Sequence, residues 1–94
     1  QRLSVRRMNP ADPYAERRRR LLWRASHRGI REMDLLLGGY ARRAIPGMDA
    51  RQLDELEVIV TLPDQEMLAW IMGQEPVPPQ HACVTLSELI AYRP

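Results

Sequence analysis

The chain has 94 residues, 45% of them hydrophobic and 28% charged, with a formal net charge of +2. A chain of this length forms one small domain and buries only roughly 60 to 65% of its unfolded-chain surface, which argues against a deep, enclosed active site. No apolar run approaches the roughly 20 residues of a membrane-spanning helix. The single Cys83 leaves no internal disulfide, and with two histidines it falls short of a self-contained zinc site. The expectation is a soluble protein of a reducing compartment that holds no metal.

Residues 1–12 are polar and basic, with Pro10 and no apolar period, and are read as a flexible tail ahead of a single domain over 13–94. Asp12 is expected to cap a first helix with Pro13 at its first position, running through Leu21, Leu22 and Ala25 to Ser26 or His27. A second helix is expected from Gly29 or Ile30 to about Arg43, with Ile30, Met33, Leu37, Tyr40 and Ala41 along one face. Within it, Gly38-Gly39 costs roughly 1 kcal/mol per glycine relative to Ala, and marks a kink, a close packing contact or an early end.

Ile45-Pro46-Gly47 breaks the chain, and Asp49 with Gln52 has capping-box spacing for a third helix, from about Ala50 to Thr61. Val58 to Leu62 also reads as a short strand, but no second strand-like run exists to pair with it. After Pro63, Asp64 is expected to cap a fourth helix that Gly73 stops. A loop with Pro76, Pro78 and Pro79 follows, and Thr85 with Glu88 suggests a capped fifth helix over Val84 to Tyr92. The fold class is therefore all-α, a compact five-helix bundle. Its expected core is Leu22, Ile30, Met33, Leu37, Leu53, Leu56, Ile59, Val60, Leu68, Ile71 and Leu89.

The charge is unevenly placed. Residues 1–45 hold twelve arginines against four carboxylates, and residues 46–94 hold two arginines against eight. Such polarity either draws the two halves together or gives the domain one basic and one acidic face. The run Arg17 to Arg20 leaves a small basic nucleic-acid-binding protein as an alternative function, although the acidic second half opposes extended backbone tracking.

Catalytic groupings are weak. Ser26 and His27 are adjacent on a helix and point about 100° apart, so they do not readily pair as nucleophile and base. Cys83 near His81 is no stronger, and Glu32 and Asp34 diverge too far to act as a carboxylate pair. No phosphate-binding glycine loop is present. The chain does not read as an enzyme.

Arg28-Gly29-Ile30-Arg31-Glu32-Met33-Asp34 stands out. A glycine between two helices lets a partner approach closely, and Arg28 and Glu32, four apart, can share one face or form an ion pair. The longer segment from Arg20 through Trp23, His27 and Arg28-Gly29-x-x-Glu32 to Leu37 resembles the small succinate dehydrogenase flavinylation factors, called SdhE in bacteria, whose signature is RGxxE. Trp23 six residues before the glycine, Asp34 two after the glutamate, and the Asp64 to Trp70 segment extend the likeness over about residues 16 to 90.

The resemblance implies a helical assembly factor, chaperone-like, that binds the flavoprotein subunit of succinate dehydrogenase and promotes covalent attachment of FAD. Fumarate reductase is a further candidate client. It implies client-binding residues Arg28, Gly29, Glu32, Asp34, Trp23 and His27. No catalytic, cofactor-binding or metal-binding residues are implied, since FAD belongs to the client. The implied partner is that flavoprotein, with no nucleic acid, no membrane insertion and a monomer when free. The implied place is a bacterial cytoplasm, or the mitochondrial matrix in a eukaryote. Gly38-Gly39 departs from the bulkier residues expected there and puts the length of the second helix in question.

Overall fold

The computed structural model describes residues 12–94. The expected tail lies, apart from Asp12, outside the described residues. Five α-helices follow: α1 (Ala15–Ser26), α2 (Arg31–Ala44), α3 (Ala50–Ile59), α4 (Asp64–Ile71) and α5 (Val84–Ala91). Short 3-10 turns at Ile45–Gly47 and Pro79–His81 link them, and no strand occurs among the described residues. The all-α bundle is as expected, and Val58 lies inside α3.

Each helix buries one stripe. Leu21 and Ala25 of α1 meet Met33, Leu37 and Ala41 of α2, while α5 lays Leu86 and Leu89 across α3 and α4. Eight of the eleven expected core residues are buried, and Leu22, Ile30 and Leu68 are partly buried at its edge. The core also takes in Tyr40, Met48, Met67 and Trp70.

The capping box at Asp49 and Gln52 forms in both directions, at 2.9 and 2.8 Å. Three other expected caps do not. The Asp12 carboxylate accepts from the Tyr14 N–H and from Arg18, and this local turn delays α1 until Ala15, with Pro13 in the turn rather than in the helix. Pro63 occupies the N-cap of α4, and Asp64, its first helical residue, turns its carboxylate to Arg28. The Thr85 hydroxyl donates to Glu55 and Glu88 accepts from the Tyr40 hydroxyl, so the cap of α5 falls to Cys83, whose Sγ accepts from the Leu86 N–H at 3.4 Å. At Asp64 and Thr85 a tertiary partner outcompetes the local cap, and at Asp12 a tighter local turn does.

Gly38-Gly39 neither ends nor shortens α2. A Cβ on Gly38 would lie 3.1 Å from both Cα and Oγ of Ser26, so this glycine lets α1 and α2 approach closely. A Cβ on Gly39 would lie 2.6 Å from the Tyr92 hydroxyl, which packs over it. Close packing is the reason for the pair.

The two charged halves interlock. Arg17 bridges Asp54 and Glu57 of α3, and Arg24, two turns on along α1, reaches Glu57 as well. Arg28 extends the same line to Asp64. Sequence polarity thus appears in the fold as a seam between α1 and α3–α4.

Candidate functional site

The α1–α2 connection, His27 to Ile30, is built around two residues that hold it and several that it displays. Gly29 has φ +90°, a left-handed conformation that costs an L-residue roughly 1–2 kcal/mol. Nothing lies within 4 Å of where its Cβ would be, so the glycine serves the backbone turn and not internal packing. The turn is pinned from the next helix, because the Asp34 carboxylate accepts from the Arg28 backbone N–H at 2.6 Å.

The Arg28 side chain turns inward. Its Nε donates to Asp64 Oδ1 at 2.8 Å, one terminal nitrogen to the Val60 carbonyl at 2.7 Å, and the other to the Leu62 carbonyl at 3.1 Å. Val60 is the C-cap of α3, whose last carbonyls lack helical donors and carry the negative end of the helix dipole. Asp64 opens α4, where a carboxylate meets the positive end. One guanidinium therefore caps α3, neutralises the Asp64 carboxylate at the start of α4 and ties both to the α1–α2 turn. With side-chain exposures of 10% for Arg28 and 16% for Asp64, the pair is largely screened from water. The expected Arg28–Glu32 pairing does not form. All three guanidinium nitrogens are committed to the α3–α4 turn, and Glu32 is exposed without an ion pair among the described residues.

The six expected site residues thus divide. Arg28 and Asp34 hold the turn. Gly29 and Glu32 stand at its outer rim, with Glu32 at the second position of α2, where the dipole favours its charge. Trp23 is 62% exposed and stacks on His27 with ring centroids 4.3 Å apart and planes 12° from parallel. His27 Nδ1 lies 2.8 Å from the Trp23 carbonyl oxygen, an acceptor, so Nδ1 carries the proton. The buried Ser26 hydroxyl has no hydrogen-bond partner among the described residues, so His27 does not activate it.

Elsewhere, the groups with displaced titration are structural. Hydrogen bonds from Thr85 hold the Glu55 carboxyl below the usual range, and burial followed by the Glu88 bond pushes the Tyr40 phenol up. No group of three or more His, Cys, Asp or Glu side chains among the described residues is placed to hold a metal ion. No described helix is long and apolar enough to cross a membrane.

A family model described as flavinator of succinate dehydrogenase matches residues 19–92, which contain the whole turn, its Asp64 anchor and all of α2 to α5. The chain belongs to this family. A flavinator relative from Acetobacter pasteurianus, named FAD assembly factor SdhE, is 39% identical over 79 residues, covering 84% of this chain and 72% of its own length. Proteins named mitochondrial succinate dehydrogenase assembly factor 2 are similar in Debaryomyces hansenii, at 35% over 67% of this chain, and in Dictyostelium discoideum, at 34% over 65%. The chain spans less than half the length of these two mitochondrial relatives, 44% and 43%. The flavinator family thus includes bacterial and mitochondrial assembly factors.

The sequence did not reveal what Arg28 binds. The only available signal was a lone carboxylate directly after Pro63 in the acidic half, which read more simply as a cap.

Proposed function

We propose that this chain binds the flavoprotein subunit of succinate dehydrogenase and promotes covalent attachment of FAD to it, as an assembly factor with no catalytic group and no cofactor of its own. The observation that carries the reading is the exposed Gly29–Glu32 rim, held in place from behind by the Arg28–Asp64 clamp and the Asp34 bond. In this reading Glu32 bonds the client, Gly29 admits its backbone, and the Trp23–His27 stack adds a flat aromatic contact. Arg28 and Asp34 act as positioning residues.

The attachment chemistry belongs to the client and its flavin, where a client histidine must meet the flavin 8α carbon. A bound partner accelerates such a step by holding the reacting groups in near-attack geometry. The flavoprotein of fumarate reductase is a second client on the same grounds. The factor works as a monomer, in the cytoplasm of a bacterium or the matrix of a mitochondrion. The nucleic-acid alternative loses support because Arg17 and Arg18 are bound to Asp54, Glu57 and Asp12.

The test is reconstitution: apo-flavoprotein and FAD, with and without this protein, read by covalent flavin fluorescence in a denaturing gel. Faster or more complete labelling with the protein supports the reading, and equal labelling overturns it.

A further inference from the structure

Along the outer side of the α1–α2 pair run two hollows of about 380 and about 460 Å³ that share Arg19, Leu22 and Arg42 and so form one groove. One end reaches Ile45 and Pro46, and the other ends on the Trp23–His27 stack. Its floor is apolar, with half-buried Leu22 at the centre and the largely exposed Trp23 ring at one end. Gly38 closes that floor by letting α2 sit directly against Ser26.

The walls are basic. Arg42 is exposed and meets no carboxylate among the described residues. Among the described residues Arg19 pairs only with Glu16, in an exposed pair of the kind worth little in water. Residues 1–11 contain Arg2, Arg6 and Arg7 and no Asp or Glu, so the chain's own first segment matches the groove in charge and does not complement it.

We propose that this groove docks an amphipathic segment of the client that carries carboxylates beside an aliphatic or aromatic side chain. The inference rests on the assembly-factor reading and adds a second contact beyond the Gly29–Glu32 rim. Arg42 and Arg19 pair with the carboxylates, while Leu22 and Trp23 receive the apolar side chain, the combination of Trp and Arg that dominates protein–protein contacts. A nucleic-acid strand fits less well. Asp12 lines the far hollow, Glu16 flanks Arg19, and the one aromatic ring of the floor, Trp23, is already stacked on His27.

Titrating the isotope-labelled protein with a short synthetic peptide of Leu, Trp and Glu, followed by NMR, tests the groove without the client. Shifts confined to Leu22, the Trp23 indole, Ala41 and Arg42 are expected, with binding weakened about tenfold in Arg42→Glu and absent for a peptide with Lys in place of Glu. No shift there, unchanged affinity in Arg42→Glu, or a stronger response to a single-stranded oligonucleotide overturns the proposal.

Capture of the succinate dehydrogenase flavoprotein by wild type, Arg42→Glu and Glu32→Ala separates the two claims. If Glu32→Ala loses capture and Arg42→Glu keeps it, the groove proposal fails and the function stands. If wild type captures nothing, the function fails, and with it the assignment of the groove to this client.

Discussion

Arg28 Nε lies 2.8 Å from Asp64 Oδ1, joining the turn between α1 and α2 to the start of α4 across thirty-six positions of sequence. Because the same guanidinium also holds the Val60 and Leu62 carbonyls, its removal leaves a screened carboxylate and two backbone acceptors unpaired. Breaking such a pair costs on the order of 3–5 kcal/mol when fully buried, and about 2–4 kcal/mol fits this slightly exposed one. Arg28→Ala should therefore lower Tm by more than about 10 °C in a domain of this size. Asp64→Asn should cost less, and the double variant less than the sum, since the two residues share one interaction. Calorimetry of the four proteins checks this. Additive losses would mean that the bond contributes nothing.

Gly29 separates folding from binding. Gly29→Ala should cost roughly 1–2 kcal/mol through its φ of +90° alone, because a Cβ there meets nothing within 4 Å. Gly29→Arg should keep the helical circular dichroism of wild type and lose capture of the flavoprotein. A variant that stays folded and binds normally would show that the rim does not approach the client.

The adjacent glycines of α2 should respond differently to the same change. Ala in place of Gly gains roughly 1 kcal/mol of helix propensity. At Gly38 that gain is opposed by the Ser26 backbone 3.1 Å away, between helices that cannot part without disturbing Leu21 and Leu37, and Gly38→Ala should be net destabilising. At Gly39 the obstacle is the hydroxyl end of Tyr92, which can swing outward, so Gly39→Ala should fall within about 1 kcal/mol of wild type. Chemical denaturation of both proteins decides the order.

Acid should loosen the contact between α3 and α5. The Glu55 carboxyl is lowered from 4.5, first by the Thr85 hydroxyl bond, so its ionised form is stabilised by folding. A lowered folded value gives stability that is fully present above the unfolded value and is lost as pH falls through the folded one. Stability from this group should be flat from pH 7 to about 5 and decline below about 4.5. Thr85→Val should flatten that decline. An unchanged acid limb in the variant would remove Glu55 as its source.

Apolar spacing made the five helices legible, and the Asp49–Gln52 box was readable because both partners lie within one turn. Asp12, Asp64 and Thr85 were misread for a common reason. Each looked like a local cap, but its polar group is engaged elsewhere: Asp12 by its own turn and Arg18, Asp64 by Arg28, Thr85 by Glu55. The Arg28-Gly29-x-x-Glu32 pattern was visible, but its division of labour was not. Helical spacing allowed an Arg28–Glu32 pair, and only the position of the α3–α4 turn shows why the arginine points inward and the glutamate is left exposed. The groove on the α1–α2 pair escaped the sequence entirely, since Leu22 and Arg42 become neighbours only when Gly38 lets the helices close.

In the proposed function Glu32 engages the client from a turn that Arg28 merely holds. Glu32→Gln keeps the size of the side chain and removes a charge with no ion-pair partner among the described residues, so Tm should move by no more than a few degrees. In the reconstituted assay, covalent flavin fluorescence should fall to the level seen without the factor. Full flavinylation by a folded Glu32→Gln protein would remove Glu32 from the client contact.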